Sequence, residues 1–357
     1  MPSPSRRTLA SVVLLAAATL GSIGAASVTS AQAAPTVKAP IRGLIDRQGA
    51  PKAAALAYVS GYVVKVNWAD LQPVRGGEIA ADNAIDRAIA RVRLPDFAGR
   101  MTLKLRVVAG IGAPEWAKEI GGRPLPFLNP QTGTTTLGGT IGRFWLPEFG
   151  AAYADLQAKL AAKYDGIPEL REVTVSRCST IYDELFIRQR SPVSNTTVLL
   201  GAGYTKQADQ LCIKEAIDAH QVWQQTSSDV AFNPFPNVGA TSGSSMDEAY
   251  TEATMDYCRA ALGQRCGLEN NSLSVDKLAS TTYQQMYAHM SALGGTLPLQ
   301  TATVDRIGSW PAALDGAIAI GATSVELPAG YQKWPAGSLA PLAQRIARSV
   351  PKAARAR

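Results

Sequence analysis

The sequence predicts a single (β/α)8 TIM barrel, and three observations carry that prediction. Eight short runs rich in aliphatic and β-branched residues recur between residues 41 and 328. Each is followed by a polar or Gly/Pro-bearing segment, and most of the intervals then take on helical periodicity. The chain has 357 residues, of which 46% are hydrophobic and 18% charged, so it can bury one large core of the size these barrels take, typically ~250 residues before insertions. An open doubly wound sheet is the alternative. It is disfavoured because "GLIDRQGAP", after the first run, lacks the G-x-G-x-x-G phosphate loop.

In order, the runs are "IRGLI" (41–45), "GYVVKVNW" (61–68), "MTLKLRVVAG" (101–110), "REVTVSRC" (171–178), "SDVAFNPF" (228–235), "RCGLENNSL" (265–273), "TLPLQTA" (296–302) and "ATSVELP" (322–328). The connection after the first has room for no more than a turn or two. Helical patterns follow in "ADNAIDRAIARVR", "PEFGAAYADLQAKLAAKYD", "YTKQADQLCIKEAIDAHQVWQQ", "MDEAYTEATMDYCRAAL", "SVDKLASTTYQQMYAHMSAL", "WPAALDGAIAI" and "SLAPLAQRIARSV". In the second of these, Phe149, Tyr153, Leu156, Leu160 and Tyr164 recur at three- and four-residue spacing, a stripe that a helix buries against a sheet.

The two ends differ from the body. Residues 1–34 have a basic start, an apolar middle and a small-residue close with Ala31 and Ala33 in the A-x-A pattern, which reads as a secretory signal peptide. Its apolar part is short and broken by glycine, and no later stretch is long enough for a transmembrane segment. Residues 345–357 form a basic C-terminal tail. Arg6 and Arg7, with Arg345, Arg348, Lys352, Arg355 and Arg357, account for the whole net charge of +7 and leave the body near neutral. No nucleic acid partner is expected, because a groove binder needs its basic residues clustered on the folded face. Cys178, Cys212, Cys258 and Cys266 fit two disulfides in an oxidising compartment, with Cys258–Cys266 the local pair and Cys178–Cys212 the remainder, among the three connectivities four cysteines allow. His220 and His289 lie inside helical patterns, so no metal site and no cofactor are expected. The absence of a G-x-S-x-G elbow removes a serine hydrolase of that kind.

In a barrel of this kind chemistry gathers at the C-terminal strand ends. Those ends and the loops after them carry Asn67, Trp68, Trp116, Asn233, Glu269, Asn270, Gln300, Trp310 and Glu326. Lys104 and Arg106 share one face of the third run, and a charge inside a barrel needs a carboxylate nearby. The fourth run leads to "STIYDELF", with Asp183 and Glu184. Flat aromatic rings with amides and carboxylates suit sugar rings and their hydroxyls, so Asn67, Trp68, Arg106, Trp116, Asn233, Asn270, Gln300 and Trp310 are the candidate substrate contacts. The same tryptophans also serve, on a plainer view, to cap the barrel core.

"GYVVKVNWADLQPVRGGEIAADNAIDRAI", then "MTLKLRVVAGIGAPEW", and finally "GATSVELP" resemble β-galactosidase-like and related retaining glycoside hydrolases, with their Trp-x-x-Leu-Glu-Pro-x-x-Gly pattern and a following strand that ends in Pro-x-Trp. The resemblance spans most of residues 41–335, and Gln72 stands where the family writes Glu. It implies a (β/α)8 glycosidase-like domain over 35–344, an acid/base Glu after the fourth strand, matched by Glu184, and a nucleophilic Glu after the seventh. Gln300 stands at that second position, and an amide cannot form a covalent glycosyl intermediate. Three readings stay open. Glu326, Glu269 or Asp305 is the second carboxylate, with an inverting separation; or catalysis is lost and sugar binding kept; or the strand register differs. The expectation is a secreted glycoside hydrolase-like protein acting on O-glycosidic bonds of a carbohydrate, extracellular or cell-wall associated. The alternative is a catalytically inactive carbohydrate-binding barrel.

Overall fold

The computed structural model describes residues 36–129, 137–183, 185, 193–237 and 246–350, all within the unit Pro35–Arg357. Ten strands occur along it: β1 (Gly43–Asp46), β2 (Val59–Asn67), β3 (Thr102–Val108), β4 (Leu125–Leu128), β5 (Leu137–Ile141), β6 (Leu170–Thr174), β7 (Ser227–Ala231), β8 (Cys266–Leu273), β9 (Pro298–Thr301) and β10 (Ser324–Leu327). All but β4 and β5 pair in parallel and close into an eight-stranded barrel, with each strand beside its successor and β10 back on β1. Each of the eight predicted runs falls on one of these strands.

The helices are α1 (Trp68–Leu71), α2 (Ala84–Val92), α3 (Glu115–Lys118), α4 (Pro147–Tyr164), α5 (Val193–Gly201), α6 (Lys206–Asp218), α7 (Glu248–Leu262), α8 (Val275–Ala279), α9 (Thr281–Leu293), α10 (Trp310–Ile320) and α11 (Ala336–Ala347). Only a short 3-10 turn, Ala53–Ala55, fills the first connection, as its length requires. Local signals set several helix ends. Asn83 accepts from the backbone of Ile85 and Asp86 in a capping box, Pro147 opens α4, and Gly321 closes α10 in the left-handed region. Three features escape the periodicity. The antiparallel β4–β5 pair is too short and too rich in Gly and Pro to give a strand signal, and α5, "VSNTTVLLG", has too few apolar positions at helical spacing to announce itself. The long pattern before β9 is two helices, because Ser280 is extended between α8 and α9. At the other end α11 runs on to Ala347, so Arg345 belongs to a packed helix and its guanidinium meets Asp315 at 2.7 Å.

β3 shows how the barrel is filled. Leu103, Leu105 and Val107 point outward into the core beneath the helices and are fully buried, while Lys104 and Arg106 alternate inward. Ile45 and Val63, on the inward register beside Glu326 and Lys104, form a small apolar cluster with Ile41, apart from the outer core. The centre of the interior is ionic.

Candidate functional site

Lys104 sits at the centre of the barrel with its side chain wholly buried. Its ammonium lies 3.0 Å from Asp229, 3.0 Å from Glu269 and 3.0 Å from Glu326. Arg106 forms the next layer toward the C-terminal mouth. Its guanidinium reaches Glu269 at 2.9 Å, Glu326 at 2.8 Å, Gln300 Oε1 at 2.8 Å and Asp183 at 3.2 Å. Asp183 also pairs with Lys65 at 2.9 Å. Below, Glu172 accepts from the backbone N–H of Ile41 at 2.8 Å and shares a hydrogen bond with Asp229. Gly267 makes this crowding possible, because a Cβ there would stand 2.0 Å from the Asp229 carboxylate.

Four wholly buried carboxylates therefore face two buried cations, and the imbalance decides their protonation. Burial, reinforced by Asp229, pushes Glu172 well above the usual carboxylate range. Burial also raises Asp229 against the pull of Lys104, and raises Glu269 to about 7. Glu326 ends below its ordinary value, since Arg106 and Lys104 outweigh its desolvation. Lys104 loses to burial but gains more from Asp229, Glu269 and Glu326, so its ammonium stays charged. The acid partner expected for the interior cations is thus a set, of which Asp229 and Glu172 escaped notice in the sequence. Period-two spacing from Asn233 back through Ala231 points to Asp229.

Above this layer opens a cleft of about 1360 Å³ at the strand C-termini, lined by Arg106, Asp183, Asn233, Asn271, Gln300 and residues of the surrounding loops. Gln300 forms part of its floor and passes one amide hydrogen toward Asn271 O at 3.5 Å. Asn233 Oδ1 accepts from Asn270 at 2.8 Å and from the Tyr283 hydroxyl at 3.1 Å, and Asn270 in turn accepts from Tyr287 at 2.7 Å. Asn270 is buried behind the cleft wall. Asn271, its neighbour, also lines the cleft, but both of its side-chain polar atoms are buried, with no hydrogen-bond partner among the described residues.

The remaining candidates are elsewhere. Glu269 and Glu326 lie beneath Arg106, with no exposed surface. Glu184 lies outside the described residues; its neighbour Asp183 reaches the cleft. Asn67, at the end of β2, donates to Asp70 at 3.1 Å and does not line the cleft. Trp68 is fully buried, edge-on to Trp116, Phe149 and Tyr153, and donates to Gln72 Oε1 at 3.0 Å. Trp116 packs on it, and Trp310 stacks on Trp334 with centroids 4.8 Å apart. No tryptophan lines the cleft among the described residues; the aromatic rings there are Tyr62 and Tyr182.

Two features hold the Asp183 segment in place. The Cys178–Cys212 disulfide ties the chain after β6 to α6, and Cys258–Cys266 closes the turn from α7 into β8. Gly110, at the end of β3, lets the Thr180 carbonyl approach where a Cβ would be only 1.9 Å away, and Ile111 N–H donates to that carbonyl at 2.9 Å.

No family model matches the chain, and no curated protein matches it. Among solved structures it is similar to the catalytic domain of β-amylase from Paenibacillus polymyxa, with TM-score 0.52 and 9% identity over 87% of this chain and 99% of that one. It is also similar to endo-glycoceramidase II from Rhodococcus sp., with TM-score 0.46 and 16% identity over 82% of this chain and 75% of that one. A third is β-galactosidase from the psychrophilic Marinomonas ef1, with TM-score 0.46 and 11% identity over 80% and 53%. At such identities the β-amylase match establishes the barrel fold, in agreement with the architecture that the sequence motifs implied.

Proposed function

We propose that this is a secreted, glycoside-hydrolase-like barrel that holds a carbohydrate at its C-terminal mouth. The observation that carries the reading is the cleft at the strand C-termini, whose lining brings together the side chains of Gln300, Asn233, Asn271 and Ser272. Amides and a hydroxyl gathered in one concave wall suit the hydroxyls of a sugar. The signal-like leader and the two disulfides support export.

Binding without hydrolysis fits the interior best. Glycoside hydrolysis needs two carboxylates flanking the scissile bond. Here Glu269 and Glu326 are sealed under Arg106, and the seventh barrel strand carries an amide, Gln300, near its end. The hydrolytic reading has one observation in its favour: the Asp183–Glu184 pair follows β6, and Asp183 reaches the cleft.

Screening the mature protein against an oligosaccharide panel, for binding and for release of reducing ends, tests both. Binding without release is the expected result. Asn233→Ala should weaken the best ligand roughly two- to tenfold, the worth of one or two hydrogen bonds. Release that falls about 10²- to 10⁴-fold in Glu184→Gln replaces the binding reading with the hydrolytic one. A panel with no binder and no product removes the carbohydrate reading.

A further inference from the structure

The charge of the cleft is unlike that of the chain around it. The body between leader and tail is near neutral, yet among the described residues seven basic side chains line the cleft against three acidic ones. The basic groups come from separate elements. Arg47 follows β1, Lys65 lies on β2, Lys277 on α8 and Arg306 in the loop after β9. Asp183 engages Lys65 and Arg106, and with that group set aside Arg47, Arg87, Arg91, Lys277 and Arg306 stand against Asp276 and Asp305. Asp305 faces Arg306 only at 3.9 Å, and both are well exposed, so that contact neutralises little. Lys277 rests over the Tyr283 ring at 4.6 Å, an aromatic platform that steadies the ammonium without cancelling its charge. A concave wall of one sign concentrates the field and raises the local concentration of an oppositely charged ligand.

We infer that the cleft takes a negatively charged carbohydrate, a chain whose sugars carry carboxylate or sulfate groups. The inference rests on the carbohydrate reading above and narrows its substrate class. Arg106 and Gln300 mark the floor, and the outer cations meet the anionic groups at the rim. A basic tail at residues 345–357 is a second place for a polyanion to adhere, so the test must separate the two.

The test uses matched probes that differ only in charge: polygalacturonate against its methyl ester, and dextran sulfate against dextran, with duplex DNA as a polyanion lacking the sugar-chain chemistry. Binding to the mature chain is measured by calorimetry at low and high salt. The charged member of at least one pair should bind ten or more times tighter at 50 mM salt, with the gap narrowing at 0.5 M. The pair showing the larger gap identifies carboxylate or sulfate as the recognised group. Lys277→Ala/Arg306→Ala should weaken that binding roughly three- to tenfold with an unchanged thermal midpoint. Lys352→Ala/Arg355→Ala/Arg357→Ala should leave it intact. Equal binding of neutral and charged members overturns the inference and leaves the carbohydrate reading standing, whereas no binding of any glycan overturns both. Loss in the tail variant but not in the cleft variant, or DNA binding as tight as the best glycan, also overturns it.

Discussion

At the scale of the residue, Arg106 is the pivot of the mouth. It contacts two buried carboxylates below, Gln300 beside it and Asp183 above, so the floor of the cleft and the lid of the ionic core are one side chain. Removing one partner from a buried ion cluster leaves charge uncompensated, which typically costs ~3 to 5 kcal/mol. Arg106→Met should therefore lower the unfolding free energy by about that much in urea denaturation, and Lys104→Met, which strands three carboxylates, by at least as much. A loss below about 1 kcal/mol for both would show that the carboxylates take up protons and relax without their cations. Gln300 has a different part. Its amide accepts from Arg106 without adding a negative charge, and a glutamate there would compete with Glu269 and Glu326 for the same guanidinium.

At the scale of the element, the Cys178–Asp183 stretch after β6 is tied down by a disulfide and by a backbone hydrogen bond to Ile111. Cys178–Cys212 spans 34 residues of sequence, and closing a loop of that length restricts the unfolded chain by about 4 kcal/mol; the eight-residue separation of Cys258–Cys266 is worth about 2.5 kcal/mol on the same basis. Cys178→Ser/Cys212→Ser should destabilise the protein more than Cys258→Ser/Cys266→Ser, as read from chemical denaturation midpoints. The first pair should also weaken ligand binding, because it steadies the chain that carries Asp183 to Lys65 and Arg106. Gly110→Ala offers a separate check on that placement, since its methyl group meets the Thr180 carbonyl directly. Equal losses of stability and unchanged affinity in all three variants would mean that the segment after β6 plays no part in the site.

At the scale of the whole molecule, the ionic interior links stability to pH. Burial raises Glu269 to about 7 and lifts Glu172 and Asp229 as well, so the folded protein holds protons that the unfolded chain releases above pH ~4.5. For a carboxyl raised by folding, stability is fully present below its unfolded value and declines as pH rises through its folded value. Glu326, held low by Arg106 and Lys104, acts in the opposite sense, and its contribution is lost only in more acid solution. Stability should therefore be greatest at mildly acid pH and fall between pH 5 and pH 8 by on the order of 1 to 3 kcal/mol. Urea midpoints across that range decide it. A midpoint that rises with pH would mean that the buried carboxylates are all ionised in the folded state.

The periodic runs, the short first connection and the cysteine spacing determined the barrel, its strand boundaries to within a few residues and a disulfide pairing that the structure contains. These are local properties: alternation, length and proximity along the chain. The paired inward cations of β3 likewise announced a buried carboxylate. Alternation hints at Asp229 alone; that Asp229, Glu269 and Glu326 converge was decided only by the closing of the sheet, because they come from β7, β8 and β10. The same closure sorts strand ends that look alike in one dimension. Gln300 reaches the cleft, whereas Glu326, its in-register neighbour, lies beneath Arg106, and Trp68 turns outward beneath α4. The cationic cleft is the clearest case of tertiary determination: a body with nearly no net charge acquires a basic concavity because Arg47, Lys65, Lys277 and Arg306, far apart in sequence, are gathered at one end of the barrel.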